Sequence, residues 1–373
     1  MKFFNKAIFY KEFKIAKWFL LVLTGEVLIF SILPFINTIQ SIRDSIERGN
    51  YEQFNFNWNF SYSFNEFNEH RIFFSIIIII LASLIIGMDY SNRKYEFLTT
   101  LPFKRQEIII TKYITAIIVV VIPIIIEFIT TLSLFNSNKD ILYSYISYNI
   151  LIKWFILNIL VYIFILTFTM VIQLLCGKNL IGGILGSIFL VIPLGFSSLL
   201  NELIKILNYK AYTNQVTWTT NLYYKIDNLS FKLSPAAYNM NFFKYKNDDY
   251  YNLYDQLILK FPTRIIILII VIAIGIYILY ILFNKFPIER SGYILIYKPT
   301  EYILEIGISL CTGLLVGIIV AENLISKYSL YETTDKLFST HLNYTVFFMF
   351  LSWIVTSIIL FYGTHKVIEL SKN

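Results

Sequence analysis

Two carboxylates stand where a charge is costly. Glu26 and Glu127 each interrupt a long apolar run, and an ionisable group at mid-membrane costs about 2.5–3.5 kcal/mol on insertion scales. Such a residue is a candidate polar point in a translocation path or a contact between helices. The alternative is a protonated or hydrogen-bonded packing residue near the outer headgroups. Glu127 follows Pro123, whose missing N–H leaves a backbone carbonyl unbonded and favours a kink. Other chemistry is sparse. His70, His341 and His365 sit at the ends of apolar runs, and their spacing suggests no metal or nucleophile set. Gly177-Lys178 lacks the upstream glycine and the following Ser or Thr of a phosphate loop. The chain is therefore not expected to hydrolyse ATP by itself or to bind a cofactor or metal. Cys176 and Cys311 are expected to fill space rather than build a disulfide framework.

The elements that must position these residues are membrane spans. Hydrophobic residues make up 57% of the 373, charged residues 15%, and mean hydropathy is +0.64. Soluble domains carry about 25% charged residues, so this chain has too few to cover a water-facing surface of its size. Its apolar residues fall in runs at 18–38, 72–88, 113–135, 152–175, 181–200, 264–284, 302–322 and 342–362. Runs of about 18 or more match a hydrocarbon layer of about 30 Å. The first is longer than a signal-peptide core and is followed at Asn37–Gln40 by no small-residue cleavage site, so it is read as a retained helix. The fold class predicted is an all-α polytopic membrane protein of about eight transmembrane helices. The net charge of +7 does not indicate nucleic acid, because the basic residues lie between apolar runs and not on one face of a soluble domain.

Lys and Arg set the expected orientation. With the N-terminus inside, segments 1–17, 89–112, 176–180, 285–301 and 363–373 hold 16 of the 31 basic residues. Their basic density is then roughly twice that of the outside segments, as the positive-inside rule requires. Both termini are expected to be cytoplasmic, in a multi-pass plasma-membrane protein. The span at 181–200 carries Gly182, Gly183, Gly186, Pro193 and Gly195. These predict either close helix packing or a broken helix.

Two outside loops, 39–71 and 201–263, exceed simple connections. Within the first, Phe54, Phe56, Trp58, Phe60, Tyr62 and Phe64 alternate with small polar residues. That period of two predicts a half-buried strand, with partners around Ala211–Thr220 and Tyr223–Leu233. The expectation is a small external β-containing cap built from both loops; an interfacial aromatic belt is the alternative.

After the second span comes a charged stretch that carries Tyr95, Glu96, Phe97, Leu98, Leu101, Pro102, Arg105, Glu107, Ile108 and Lys112. Its physics predicts a short helix with apolar knobs at Phe97, Leu98 and Leu101. Pro102 disfavours helix at Leu101 and pre-sets a new helical start. Such knobs suit a groove on a soluble partner better than water. This order of residues resembles the permease subunits of type-2 ABC exporters, in the larger eight-helix variety found in Firmicutes. The resemblance covers about 25 residues. It implies that Tyr95 to Leu101 form a coupling helix docking on a nucleotide-binding subunit, with Arg105 anchoring the following turn. Residues 1–17 are similar to the family's interfacial elbow helix. Glu289 and Gly292, in 286–293, are similar to an acidic-x-x-Gly element after its sixth span. Two spans beyond the common six depart from the family pattern.

The organisation implied is an elbow at 1–17, five spans at 18–200 with the coupling segment at 89–112, the cap at 201–263 and three spans at 264–373. The function implied is export of an amphipathic or hydrophobic substrate, such as an antimicrobial peptide, a drug or a lipid-like molecule. ATP and Mg would sit on partner subunits. The expected partners are two copies of a nucleotide-binding ATPase, a second permease (identical or paralogous) and membrane lipid. A polytopic lipid-modifying enzyme would want clustered His, Asp or Arg at one membrane face. A sensor would read a ligand with the external cap.

Overall fold

The computed structural model describes residues 5–48, 56–91, 104–143, 147–208, 217–239, 259–285, 293–329 and 335–370. Every regular element among them is helical. In hydrocarbon no water bonds the backbone, so a crossing segment must satisfy its own N–H and C=O groups, as a helix does. The α-helices are α1 (Lys6–Val27), α2 (Leu33–Glu47), α3 (Phe56–Ser91), α4 (Arg105–Ser137), α5 (Lys139–Leu142), α6 (Tyr148–Leu175), α7 (Ile181–Leu207), α8 (Thr217–Lys232), α9 (Phe261–Asn284), α10 (Lys298–Ser329) and α11 (Asp335–Leu370).

Eight helical stretches among the described residues are long and apolar enough to cross a membrane. They are Lys6–Glu47, His70–Asp89, Arg105–Ser137, Tyr148–Leu175, Ile181–Leu207, Phe261–Asn284, Pro299–Ser326 and Leu342–Leu370. Their number and order agree with the eight runs read from hydropathy. The chain is a multi-pass membrane protein.

The first crossing differs in extent. Asn5 caps α1, its side chain accepting from the amides of Ala7 and Ile8 at 3.0 and 3.3 Å, a preferred use of Asn at a helix start. From there α1, a π-helical segment at Leu28–Ile32 and α2 follow one another without a break. No turn marks the expected boundary at residue 17.

The strand expected at 54–64 is corrected. Phe56, Trp58, Phe60, Tyr62 and Phe64 lie in the N-terminal part of α3; Phe54 is outside the described residues. Tyr223 to Lys232, part of an expected partner strand, lie in α8. No strand occurs among the described residues. Extending a formed helix adds one bond per residue fixed, whereas a strand needs several partners to be stable. The long apolar helix at His70–Asp89 supplies such a start.

The chain divides into two compact units. One holds residues 1–190 and 234–292, the other 191–233 and 293–373. Within the first, α1 packs on α3 and α4, α3 on α6, and α6 on α4 and α9. The glycines opening α7 act by close approach. A Cβ at Gly182 would strike Gln173, and one at Gly183 would strike the Ser83 side chain. Through Pro193 α7 remains one helix, which decides for packing over a break. Within the second unit α10 and α11 lie together, with Gly313 and Gly317 against Trp353 and Met349. There Trp353 Nε1 donates to the Leu310 carbonyl at 3.2 Å.

Candidate coupling site and a buried polar cluster

Tyr95, Glu96, Phe97, Leu98, Leu101 and Pro102 lie outside the described residues, as do Glu289 and Gly292. The ends that hold residues 92–103 are described. On the far side, Arg105 opens α4 and donates through one guanidinium nitrogen to the carbonyl of Asn284, the last residue of α9, at 3.0 Å. A cation there satisfies a carbonyl that has no partner within its own helix and meets the negative end of the helix dipole.

On the near side the chain enters the segment from Asp89, and Asp89 is buried in an ion cluster. Lys112 of α4 lies with its Nζ 2.6 Å from Asp89 Oδ2, 2.9 Å from Glu12 Oε1 of α1 and 2.5 Å from the Ile85 carbonyl. Lys11 adds 2.7 Å to Asp89 Oδ1 and 3.2 Å to Glu12 Oε1. Glu12, Asp89 and Lys112 are buried, while the Lys11 side chain is 40% exposed. Two cations face two anions, so the cluster is neutral in sum. Burial is tolerable only with such pairing and added hydrogen bonds, and the Ile85 carbonyl supplies one. Close by, the Asn5 amide donates to Thr111 Oγ1 at 3.2 Å. The start of α1 is thus tied to both flanks of residues 92–103.

The two intramembrane carboxylates converge on one imidazole. His70 Nδ1 is hydrogen-bonded to Glu26 Oε1, and its Nε2 lies 3.9 Å from Glu127 Oε1. Ser31 Oγ donates to the same Glu127 oxygen at 2.6 Å. Ser31 belongs to the π-helical segment, a widened turn that recurs at functional sites. All four residues are buried. The His70 ring stands edge-on to Phe74 at 6.0 Å, and Phe74 meets Tyr162 at 4.6 Å. Next along the chain, Arg71 donates to the Asn239 carbonyl, and Asn239 Nδ2 donates to Asn158 Oδ1 at 3.0 Å. Arg264 donates to the carbonyls of Tyr238 and Leu259 at 2.7 and 2.8 Å. These bonds join α1, α3 and α4 at one point and fasten 238–239 to α3, α6 and α9 at another.

This arrangement can hold helices in register. No group of His, Cys, Asp or Glu suited to a metal ion occurs among the described residues. Burial pushes the Cys176 thiol up to about 12, so it behaves as an inert apolar side chain. Their place inside apolar runs marks Glu26 and Glu127 in the sequence, but nothing there pairs them with His70, since the partnership spans three helices. The available signal was a histidine opening the second span, where a polar group can turn inward.

Residues 57–227 match the model of a family described as ABC-2 family transporter protein. The matched stretch runs from α3 into α8 and includes Asp89, Arg105, Lys112 and all of 92–103. No curated protein and no solved structure matches the chain. The family match fits a type-2 ABC permease, and so do the eight apolar helices.

Proposed function

We propose that this chain is the membrane half of an ATP-driven exporter, worked by separate subunits that hold ATP and Mg. The ABC-2 transporter domain supports an ABC permease subunit. The observation that carries the mechanism is how the two flanks of residues 92–103 are anchored. Asp89 and Lys112 are locked with Glu12 in one buried ion cluster, and Arg105 is bonded to the end of α9. A push on the segment therefore reaches α1, α3, α4 and α9 together. A rigid-body switch needs its membrane helices moved as a unit.

In this reading residues 92–103 and both termini face the cytoplasm of a bacterial cell. Tyr95, Glu96, Phe97, Leu98 and Leu101 meet the ATPase, Pro102 sets the turn, and Glu289 and Gly292 lie in a second contact beside it. Two permease copies, identical or paralogous, recruit two ATPase subunits. The substrate is amphipathic or hydrophobic: an antimicrobial peptide, a drug or a lipid-like molecule. Glu26 and Glu127 act as the polar contact that keeps α1, α3 and α4 together through the switch.

The experiment is mild-detergent purification from native membranes, followed by measurement of ATP hydrolysis and transport. A phosphate-loop ATPase should co-isolate, and Glu96→Lys or Leu98→Asp should abolish transport while the permease still folds. Absence of any ATPase, together with unchanged transport in both variants, would overturn the proposal.

A further inference from the structure

Between α4 and α9 lies a cavity of about 390 Å³, within the first unit. Ile109 and Tyr113 of α4 line one side, and Ala273, Tyr277 and Tyr280 of α9 line the other. The Tyr113 hydroxyl is already hydrogen-bonded to Thr167 Oγ1, at 2.8 Å. The Tyr277 side of the cavity is open, with that residue 66% exposed. Both helices are membrane spans, so the opening faces hydrocarbon and the lining rewards an apolar occupant.

Charged residues lie just beyond one end of the cavity. Ile109 lies four residues from Arg105, and Tyr280 four from Asn284. One helical turn is about 5.4 Å, so the cavity ends one turn short of the Arg105–Asn284 bond. Lys104 and Lys285 flank that bond and are exposed, free to reach a headgroup along their apolar stems. Basic residues between membrane helices at the headgroup level recognise anionic lipids.

We propose that this cavity holds one acyl chain of an anionic phospholipid, with the phosphate of its headgroup on Lys104 and Lys285. The inference rests on the membrane spans and goes beyond the transport reading. It gives the flank of residues 92–103 a lipid ligand, placed where Arg105 grips α9. A second copy of the chain fits the site less well, because a two-fold seam there would present the same basic patch from both sides.

Native mass spectrometry of the purified chain tests this, after extraction from membranes of equal phosphatidylglycerol and phosphatidylethanolamine. The expected result is preferential retention of phosphatidylglycerol. Lys104→Gln with Lys285→Gln lowers that retention about 25-fold, at about fivefold per basic residue, and leaves the chain monodisperse because both sites are exposed. Ala273→Phe, which fills the cavity, loses both lipids. Equal retention of the two lipids by the unaltered chain, or unchanged preference in the double lysine variant, overturns the proposal. So does efficient disulfide cross-linking of Tyr277→Cys between two copies in native membranes. No ATPase is needed, so failure here is separate from failure of the exporter reading.

Discussion

Replacing Lys112 by methionine removes one cation from the buried cluster and little volume. The lost ammonium sits 2.6 Å from Asp89, 2.9 Å from Glu12 and 2.5 Å from the Ile85 carbonyl. Lys11 then stands alone against two buried carboxylates, 2.7 and 3.2 Å away, and it is partly in water. Breaking a buried ion pair from one side costs about 3–5 kcal/mol. The surviving Lys11 places this case near the lower end, about 3 kcal/mol. At about 2 °C per kcal/mol for a large chain, the apparent melting temperature should fall by about 6 °C. Membrane proteins often unfold irreversibly, so variants must be compared at one heating rate. Adding Glu12→Gln to Lys112→Met leaves Lys11 paired with Asp89 and should recover at least about 2 kcal/mol of the loss. A Lys112→Met protein that melts with the parent, or a double variant whose losses simply add, would refute the ion-cluster account.

Three other outcomes follow from the same geometry. Arg105→Ala loses one charge-assisted bond at a half-exposed site, so stability should drop by only about 1 kcal/mol, while ATP hydrolysis loses its response to transport substrate; an unchanged response in reconstituted complexes counts against the anchoring role. His70→Leu leaves Glu26 and Glu127 buried together and should cost about 3–5 kcal/mol, with recovery when Glu26→Leu is added; thermal melting of the single and double variants checks this. Gly183→Leu should prevent normal folding by driving α7 off Ser83, whereas Gly25→Ala, with open space around it, should stabilise α1 by about 1 kcal/mol; size-exclusion profiles and melting of the two variants separate these effects.

The spans were legible because crossing a membrane is a local demand. Each needs about 20 apolar residues in succession, and hydropathy reads that directly. The helix of the first span runs past both ends of its apolar run, and Lys11 and Glu12, which look solvated in sequence, enter the ion cluster. The aromatic alternation at 54–64 misled for the opposite reason. A strand depends on distant partners, and a period of two cannot show whether they exist; the neighbouring helix supplied the shorter route to bonded backbone. For the glycines of α7, sequence offered two readings, and Gln173 and Ser83 decided between them. Buried charge pairing was the least legible feature. Glu12 and Lys112 are 100 residues apart, and only the fold shows that three helix ends share one point. Glu26 and Glu127 drew notice because apolar surroundings make a carboxylate conspicuous. Their histidine did not, because a histidine at a span end looks ordinary.

The reading of residues 92–103 as the contact with a motor subunit can be tested by placing a photoreactive amino acid at Leu98 and illuminating native membranes. The account expects one dominant adduct, with a subunit carrying a phosphate-loop ATPase, whose yield changes when ATP is added. An adduct with lipid alone, or a protein adduct that contains no nucleotide-binding subunit, would contradict it.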